Sequence, residues 1–260
     1  MADYTLVRKS RNTISTFVHI LMNVVLGLVS IFATALTGSW AIGVILVLVS
    51  KWRIFAVRPR YWLLNIKSNL VDLIVGLSFV LIAYCSGTVI MPVHWSLAVG
   101  YIAWLTILKP KSSELAAEAQ SLVAVFLGIT ATVLLTANYD SLIIVITAFI
   151  IGYAASRHTL IQSDDDNFSL ITLVCGLISA EIAWLCHSWL IVYTFSGTGI
   201  IIPQLSIILS VFAFVFTRVH RSIIKHDGKL KFNDVAVPII FSMVVIAVIM
   251  IWFSKPIFDV

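Results

Sequence analysis

Apolar residues fill this 260-residue chain in nine long stretches: 14–36, 39–54, 69–86, 89–108, 115–136, 140–157, 168–191, 200–218 and 234–253. Each comes close to the roughly 20 residues a helix needs to cross the hydrocarbon core of a bilayer. The second is the weakest, because its clean run from Ala41 to Val49 is short and Lys51 and Arg53 must reach back to the headgroups. In lipid every backbone N–H and C=O needs an internal partner, so such stretches must be helical. The alternating segments of about ten residues that mark a membrane barrel are absent. The pattern predicts an all-α fold: a polytopic transmembrane helix bundle of about nine spans, in a single membrane domain over 1–260.

Composition closes the alternatives. The chain is 60% hydrophobic and 11% charged, against about 25% charged in a soluble domain. A soluble surface could not cover that much apolar area. A soluble enzyme, a disordered chain and a disulfide scaffold are therefore excluded. The three cysteines, Cys85, Cys175 and Cys186, read as small buried hydrophobes. The first apolar stretch is longer than the 7–15 residues usual in a cleaved signal peptide.

Charge placement adds an orientation. Under the nine-span reading, 16 of the 17 lysines and arginines fall on one side. They lie before span one, in the connections after spans two, four and eight, and at Arg157, and only Lys255 lies opposite. Lysine and arginine favour cytoplasmic connections. The N-terminus is expected inside and the C-terminus outside. The net charge of +5 is then an orientation signal that meets anionic headgroups, not a nucleic-acid footprint. Short connections suit the cytoplasmic membrane of a prokaryotic cell. An acidic run, Asp164-Asp165-Asp166, reads as a solvated helix start before span seven.

Few polar residues fall inside the apolar stretches, and these are the candidates for chemistry. Glu181 lies about 12 residues into span seven, near the bilayer centre at 1.5 Å per residue. Its neighbours three and four residues away are Leu177, Ile178, Trp184 and Leu185, so any partner must come from another helix. A carboxylate at that depth is costly unless paired, protonated or wetted, and by default marks function. Asp72, Glu118 and His19 form a second polar layer toward the inner leaflet and are expected to converge on a proton or cation pathway. The competing reading makes Asp72 and Glu114 first-turn acids that face their own helix dipoles. His94 and His187 read as solvated or hydrogen-bonded residues near the outer helix ends.

A different chemistry is suggested by the string from Lys51 to Trp62. Lys51, Arg53, Arg58, Arg60 and Trp62 mix basic and aromatic side chains, as interfacial anchors and lipid-phosphate contacts do. Lys51 with Arg58-Pro59 resembles the first motif of the membrane-bound acid phosphatase family. The second motif of that family, Pro-Ser-Gly-His, is absent, and His158 follows Arg157 directly instead of several residues on. No role is carried over from that family.

No Walker A loop, Gly-x-Ser-x-Gly, His-Glu-x-x-His or CxxC occurs, so no catalytic residue, metal ligand set or cofactor is expected. The favoured expectation is a small-solute or ion transporter, proton-coupled through Glu181. The alternatives are a membrane-embedded enzyme or carrier for a lipid-linked phosphate at the cytoplasmic face, and a non-catalytic subunit of a membrane complex. The expected partners are anionic headgroups and other protein subunits. A reporter fused after Val260 is expected to be active only outside the cytoplasm, and cytoplasmic activity overturns the orientation.

Overall fold

The computed structural model describes residues 2–252 other than 55, 138, 162–167, 190, 196 and 227, and of 2–14, 53, 250 and 252 the backbone alone. The side chain of Arg53 and the run Asp164-Asp165-Asp166 therefore lie outside the described residues.

Among the described residues the regular structure is helical apart from one small hairpin. The helices are α1 (Ala2–Thr37), α2 (Trp40–Ser50), α3 (Trp62–Ser68), α4 (Leu70–Cys85), α5 (Pro92–Ala103), α6 (Glu114–Thr136), α7 (Ser141–Leu160), α8 (Phe168–His187), α9 (Gln204–Lys225) and α10 (Phe232–Trp252). A π-helical segment, Trp104–Leu108, continues α5. Every one of the nine apolar stretches holds a helix, but the helices are not equal. Among the described residues six are long and apolar enough to cross a membrane: α6 to α10 and the Ser15–Thr37 part of α1. A seventh candidate is the pair Pro59–Ser68 and Leu70–Cys85, bent by 69°. Length and composition thus support six or seven spans, and the remaining apolar helices, Trp40–Ser50 and Pro92–Leu108, are shorter. At 1.5 Å per residue, the 11 residues of α2 span only about 17 Å, short of the roughly 30 Å hydrocarbon core.

The long stretches at 168–191 and 200–218 were each expected to be wholly helical. Instead α8 ends at His187, and β1 (Val192–Phe195) pairs antiparallel with β2 (Ile200–Pro203), with Phe195 opposite Ile200. Hydropathy cannot separate a short strand from a helix end, and Gly197 and Gly199, both at positive φ, close the turn that pairs the strands. The hairpin tip rests on α5, where Val93 N donates to Thr198 O at 3.0 Å.

Helix α6 is the axis. One side packs on α4 through Ala124 and Ala131, in a core shared with Val75, Val80, Leu97 and Tyr101. The other side packs on α7 and α9 through Val125, Ile129 and Val133, with Ile144, Ala148 and Leu209. Between helices in lipid, small residues let backbones approach and supply the packing that water would otherwise drive. The α7–α8 contact works this way. A Cβ on Gly152 would stand 2.3 Å from Ser179 Oγ and 3.2 Å from Cys175 O, and one on Gly176 would stand 3.0 Å from Phe149. Gly152→Val is expected to push α7 and α8 apart and cost about 1–3 kcal/mol, as overpacking does. Thermal unfolding in detergent reads this, and a melting temperature equal to wild type rejects it.

Candidate functional site

Several charged residues of the bundle meet at one end. There the C-termini of α2, α7, α9 and the π segment come together with the N-termini of α4 and α6. Asp72 sits in the first turn of α4. Lys51, at the end of α2, donates to its Oδ2. Lys109 Nζ reaches the same oxygen at 2.8 Å, and Trp104 Nε1 donates to Oδ1 at 3.0 Å. The π segment explains why two residues five apart reach one carboxylate. In an α-helix they would stand about 140° apart around the axis, whereas the wider turn, closed by Lys109 N to Trp104 O at 2.9 Å, brings them round to one side.

Lys51 is 6% exposed and Asp72 12%. Desolvating two charges is expensive, and the pair holds only because Asp72 accepts from three donors. Two ammonium groups share one carboxylate, so the cluster carries one excess positive charge, and Lys109, half open to the surface, carries it outward. One turn along α4 the Tyr101 hydroxyl stands against Gly76, buried and without a hydrogen-bond partner among the described residues.

Glu118 forms the second charged cluster. Ser113 caps α6 by accepting from Ala116 N, which puts Glu114 in the first turn and Glu118 one turn in, on the same side. Glu118 is buried. Arg218 Nε lies 3.0 Å from its Oε1 and an Arg221 terminal nitrogen 3.3 Å from its Oε2; Arg221 also lies 3.9 Å from Glu114. The contacts have charge but not alignment. Arg218 Nε and both Glu118 oxygens make no well-directed hydrogen bond among the described residues. The Arg218 guanidinium lies 5.3 Å from the Phe214 ring. Phe214 in turn lines an apolar groove between α6, α9 and α10, of about 510 Å³, with Leu122, Phe126, Val211 and Phe241.

Gln120 ties the two clusters to α7. Its Nε2 donates to Leu108 O at 2.7 Å and Lys111 O at 2.9 Å, so its Oε1 must be the atom facing His158 Nε2 at 2.6 Å. The carbonyl oxygen can only accept, so His158 carries a proton on Nε2. Deeper in, Ser121, Ser156, Ser179 and Thr217 border a cavity of about 20 Å³, room for one water.

The other candidates are dispersed. His19 is exposed, with Nδ1 3.3 Å from Asn23 Nδ2, and does not join Asp72 or Glu118; these two have separate sets of basic partners. Of the basic string, Lys51 turns inward to Asp72, while Arg58, Arg60 and Trp62 stay exposed. Arg60 stacks on Tyr61 at 4.6 Å, and Trp62 Nε1 donates to Val57 O at 2.9 Å. His94 is not solvated: it is fully buried, and its Nδ1 accepts from Met91 N at the start of α5. Glu181 stands on the exposed side of α8 and has no hydrogen bond or ion pair among the described residues. The helix ends at His187, which puts Glu181 about 9 Å from that end instead of at mid-helix.

Sequence reasoning reads Lys109, Arg218 and Arg221 only as orientation charges, and passes over His158 as a partner of Gln120. The available signal is the pairing of isolated acids at helix starts with basic residues at the ends of other helices. Comparison with family models, with curated proteins and with solved structures finds no match.

Asp72→Ala leaves two lysines facing each other, one of them buried. It is expected to lower stability by about 3–5 kcal/mol. Lys51→Met in the same chain should restore most of that loss. Chemical denaturation in bicelles measures both, and a double variant no better than Asp72→Ala refutes the pairing.

Proposed function

We propose that the protein binds a phosphate-bearing lipid at the cytoplasmic face of the membrane, as carrier or docking protein for that lipid. The supporting observation is the course of the α6–α9–α10 groove. It is apolar, open on its outer side, and runs to Phe214, on which the Arg218 guanidinium lies. An acyl chain fits the groove, and a phosphate is met at its end by Arg218 and Arg221, with Lys225 one turn further on. Arginine suits this role because its planar fork of donors matches phosphate geometry. Arg218 Nε is buried beside Glu118 without a directed hydrogen bond, while the side chain as a whole is a third exposed. Glu118 holds the two arginines ready without satisfying them.

The orientation follows the same proposal. The end of the bundle that gathers Lys51, Lys109, Arg218 and Arg221 faces the cytoplasm, where anionic lipid is met. A nine-traverse path requires α2 and the Pro92–Leu108 helix to cross a locally thinned bilayer. The transport reading loses its main support, because Glu181 points away from the bundle interior. The subunit reading keeps its support, since an outward acid can meet a second chain.

The test is retention of an anionic phospholipid by the protein purified in neutral detergent, read by native mass spectrometry. Charge-assisted hydrogen bonds contribute about 1.5–3 kcal/mol each, so Arg218→Gln with Arg221→Gln is expected to lower retention at least about tenfold. Phe241→Trp, which fills the groove and leaves the arginines in place, should also lower it. Arg58→Gln with Arg60→Gln should leave it within about twofold. If the last variant alone abolishes retention, the exposed basic string holds the lipid and the groove does not.

A further inference from the structure

Between Lys51 and Asp72 the chain leaves the bundle and returns to it tied together by its own hydrogen bonds. Ile54 N donates to Lys51 O at 2.9 Å, Asn65 Nδ2 reaches back to Ile54 O at 3.3 Å, and Trp62 Nε1 holds Val57 O. The helical part, Pro59–Ser68, meets α4 at the 69° bend, the one break of this kind among the described residues. Helix α4 itself belongs to the bundle core through Val75 and Val80. Spanning helices tilt on average about 20° from the bilayer normal. A helix bent by 69° from α4 therefore lies nearer the membrane plane than the normal. Its depth is set as well. Ser68 stands four residues before Asp72, whose contacts with Lys51 and Lys109 mark the charged end of the bundle. A helix that runs sideways at this level follows the boundary between headgroups and acyl chains.

The side chains suit that boundary. Leu63 is 73% exposed and Leu64 59%, and Tyr61 and Trp62 are exposed beside them. Arg58, Arg60 and Lys67 are exposed too, and no Asp or Glu lies between Lys51 and Asp72. Aromatic rings with a polar edge favour the headgroup level, and arginine and lysine lay their stems on apolar surroundings while the charge reaches phosphate. We propose that Pro59–Ser68 does not cross the bilayer but lies in its headgroup layer, with Leu63 and Leu64 in the acyl boundary and Arg58, Arg60 and Lys67 on the phosphates of anionic phospholipids. Charge decides the partner. Each cation near an anionic membrane surface strengthens attachment about fivefold, and this segment offers three exposed ones with no acid to offset them. A protein would have to bring both an apolar and an acidic surface, whereas an anionic bilayer supplies both at the depth where the helix lies. The contact is separate from the groove between α6, α9 and α10, and stands whether or not that groove holds a lipid.

Two measurements on the full chain in vesicles of phosphatidylcholine and phosphatidylglycerol test it. In the first, spin labels are placed singly at Tyr61→Cys and Ser68→Cys in a chain with Cys85, Cys175 and Cys186 changed to Ala, and their depths are read from collisions with oxygen and with a water-soluble nickel complex. The two positions are seven residues apart, about 10 Å along a helix. Their depths should differ by no more than about 5 Å, whereas Val237→Cys and Val244→Cys on α10, equally far apart, should differ by about 10 Å. A gradient at 61–68 as steep as that on α10 overturns the proposal. The second measurement keeps the native cysteines. A photoreactive p-benzoylphenylalanine replaces Leu64, and the lipids it captures are identified by mass spectrometry. Phosphatidylglycerol should be enriched at least about threefold over its share of the vesicle, and Arg58→Gln with Arg60→Gln and Lys67→Gln should abolish the enrichment. The same probe in place of Val244 should show none. Capture of no lipid at position 64 overturns the proposal, and so does an enrichment that survives the three substitutions or equals that at position 244.

Discussion

A carboxylate taken out of water must be met by donors, and at one end of this bundle that requirement decides where six elements stop. Asp72 draws in the end of α2 through Lys51, and Trp104 and Lys109 from the π segment. Glu118 draws in the last turns of α9 through Arg218 and Arg221. Gln120 closes the remaining gap to α7 through His158, and meets the carbonyls of Leu108 and Lys111 as well. Each contact joins helices that are otherwise held together by apolar packing with little direction of its own. Van der Waals packing between smooth helices tolerates sliding, while a buried charge with a named partner does not.

The same constraint separates structure from candidate function. Asp72 is satisfied by three donors, so its cluster holds the fold. Glu118 has its arginines at contact distance but not in line, and the groove beside them is lined by apolar side chains except Ser210. Glu181 has no partner among the described residues. These three acids form a series, from fully met, through partly met, to unmet within one chain. Free donors or acceptors at a membrane protein's surface are where a lipid or a second chain can bind with gain, because the alternative in hydrocarbon is an unsatisfied polar group.

Much of the fold was legible before the structure. All nine apolar stretches hold helices, because backbone satisfaction in lipid leaves no other choice. The acids Asp72 and Glu114 were placed in first turns of α4 and α6, where the structure has them. Span lengths were less legible. The run at 200–202 is as apolar as a helix start yet forms a strand, and α2 is cut short where Lys51 turns in to Asp72. The candidate site was legible only as residue types. Asp72, Glu118 and Lys51 were named, but the expected convergence with His19 fails. Their actual partners lie 21 to 103 residues away in the chain, from Lys51 to Asp72 and from Glu118 to Arg221, on helices whose rotation no local pattern reveals.

The sequence by itself determined the apolar surroundings and the helical character of the chain. Those depend on local composition and on the length of each apolar run, which hydrocarbon reads residue by residue. Only the tertiary structure decided which face each helix turns inward. A helix that is apolar on every side has no polar face to orient it in lipid. Its rotation is set by small residues that permit close approach, such as Gly152 and Gly176, and by the buried charges that must find one another. That rotation turned Asp72 and Glu118 toward their partners and left Glu181 facing out.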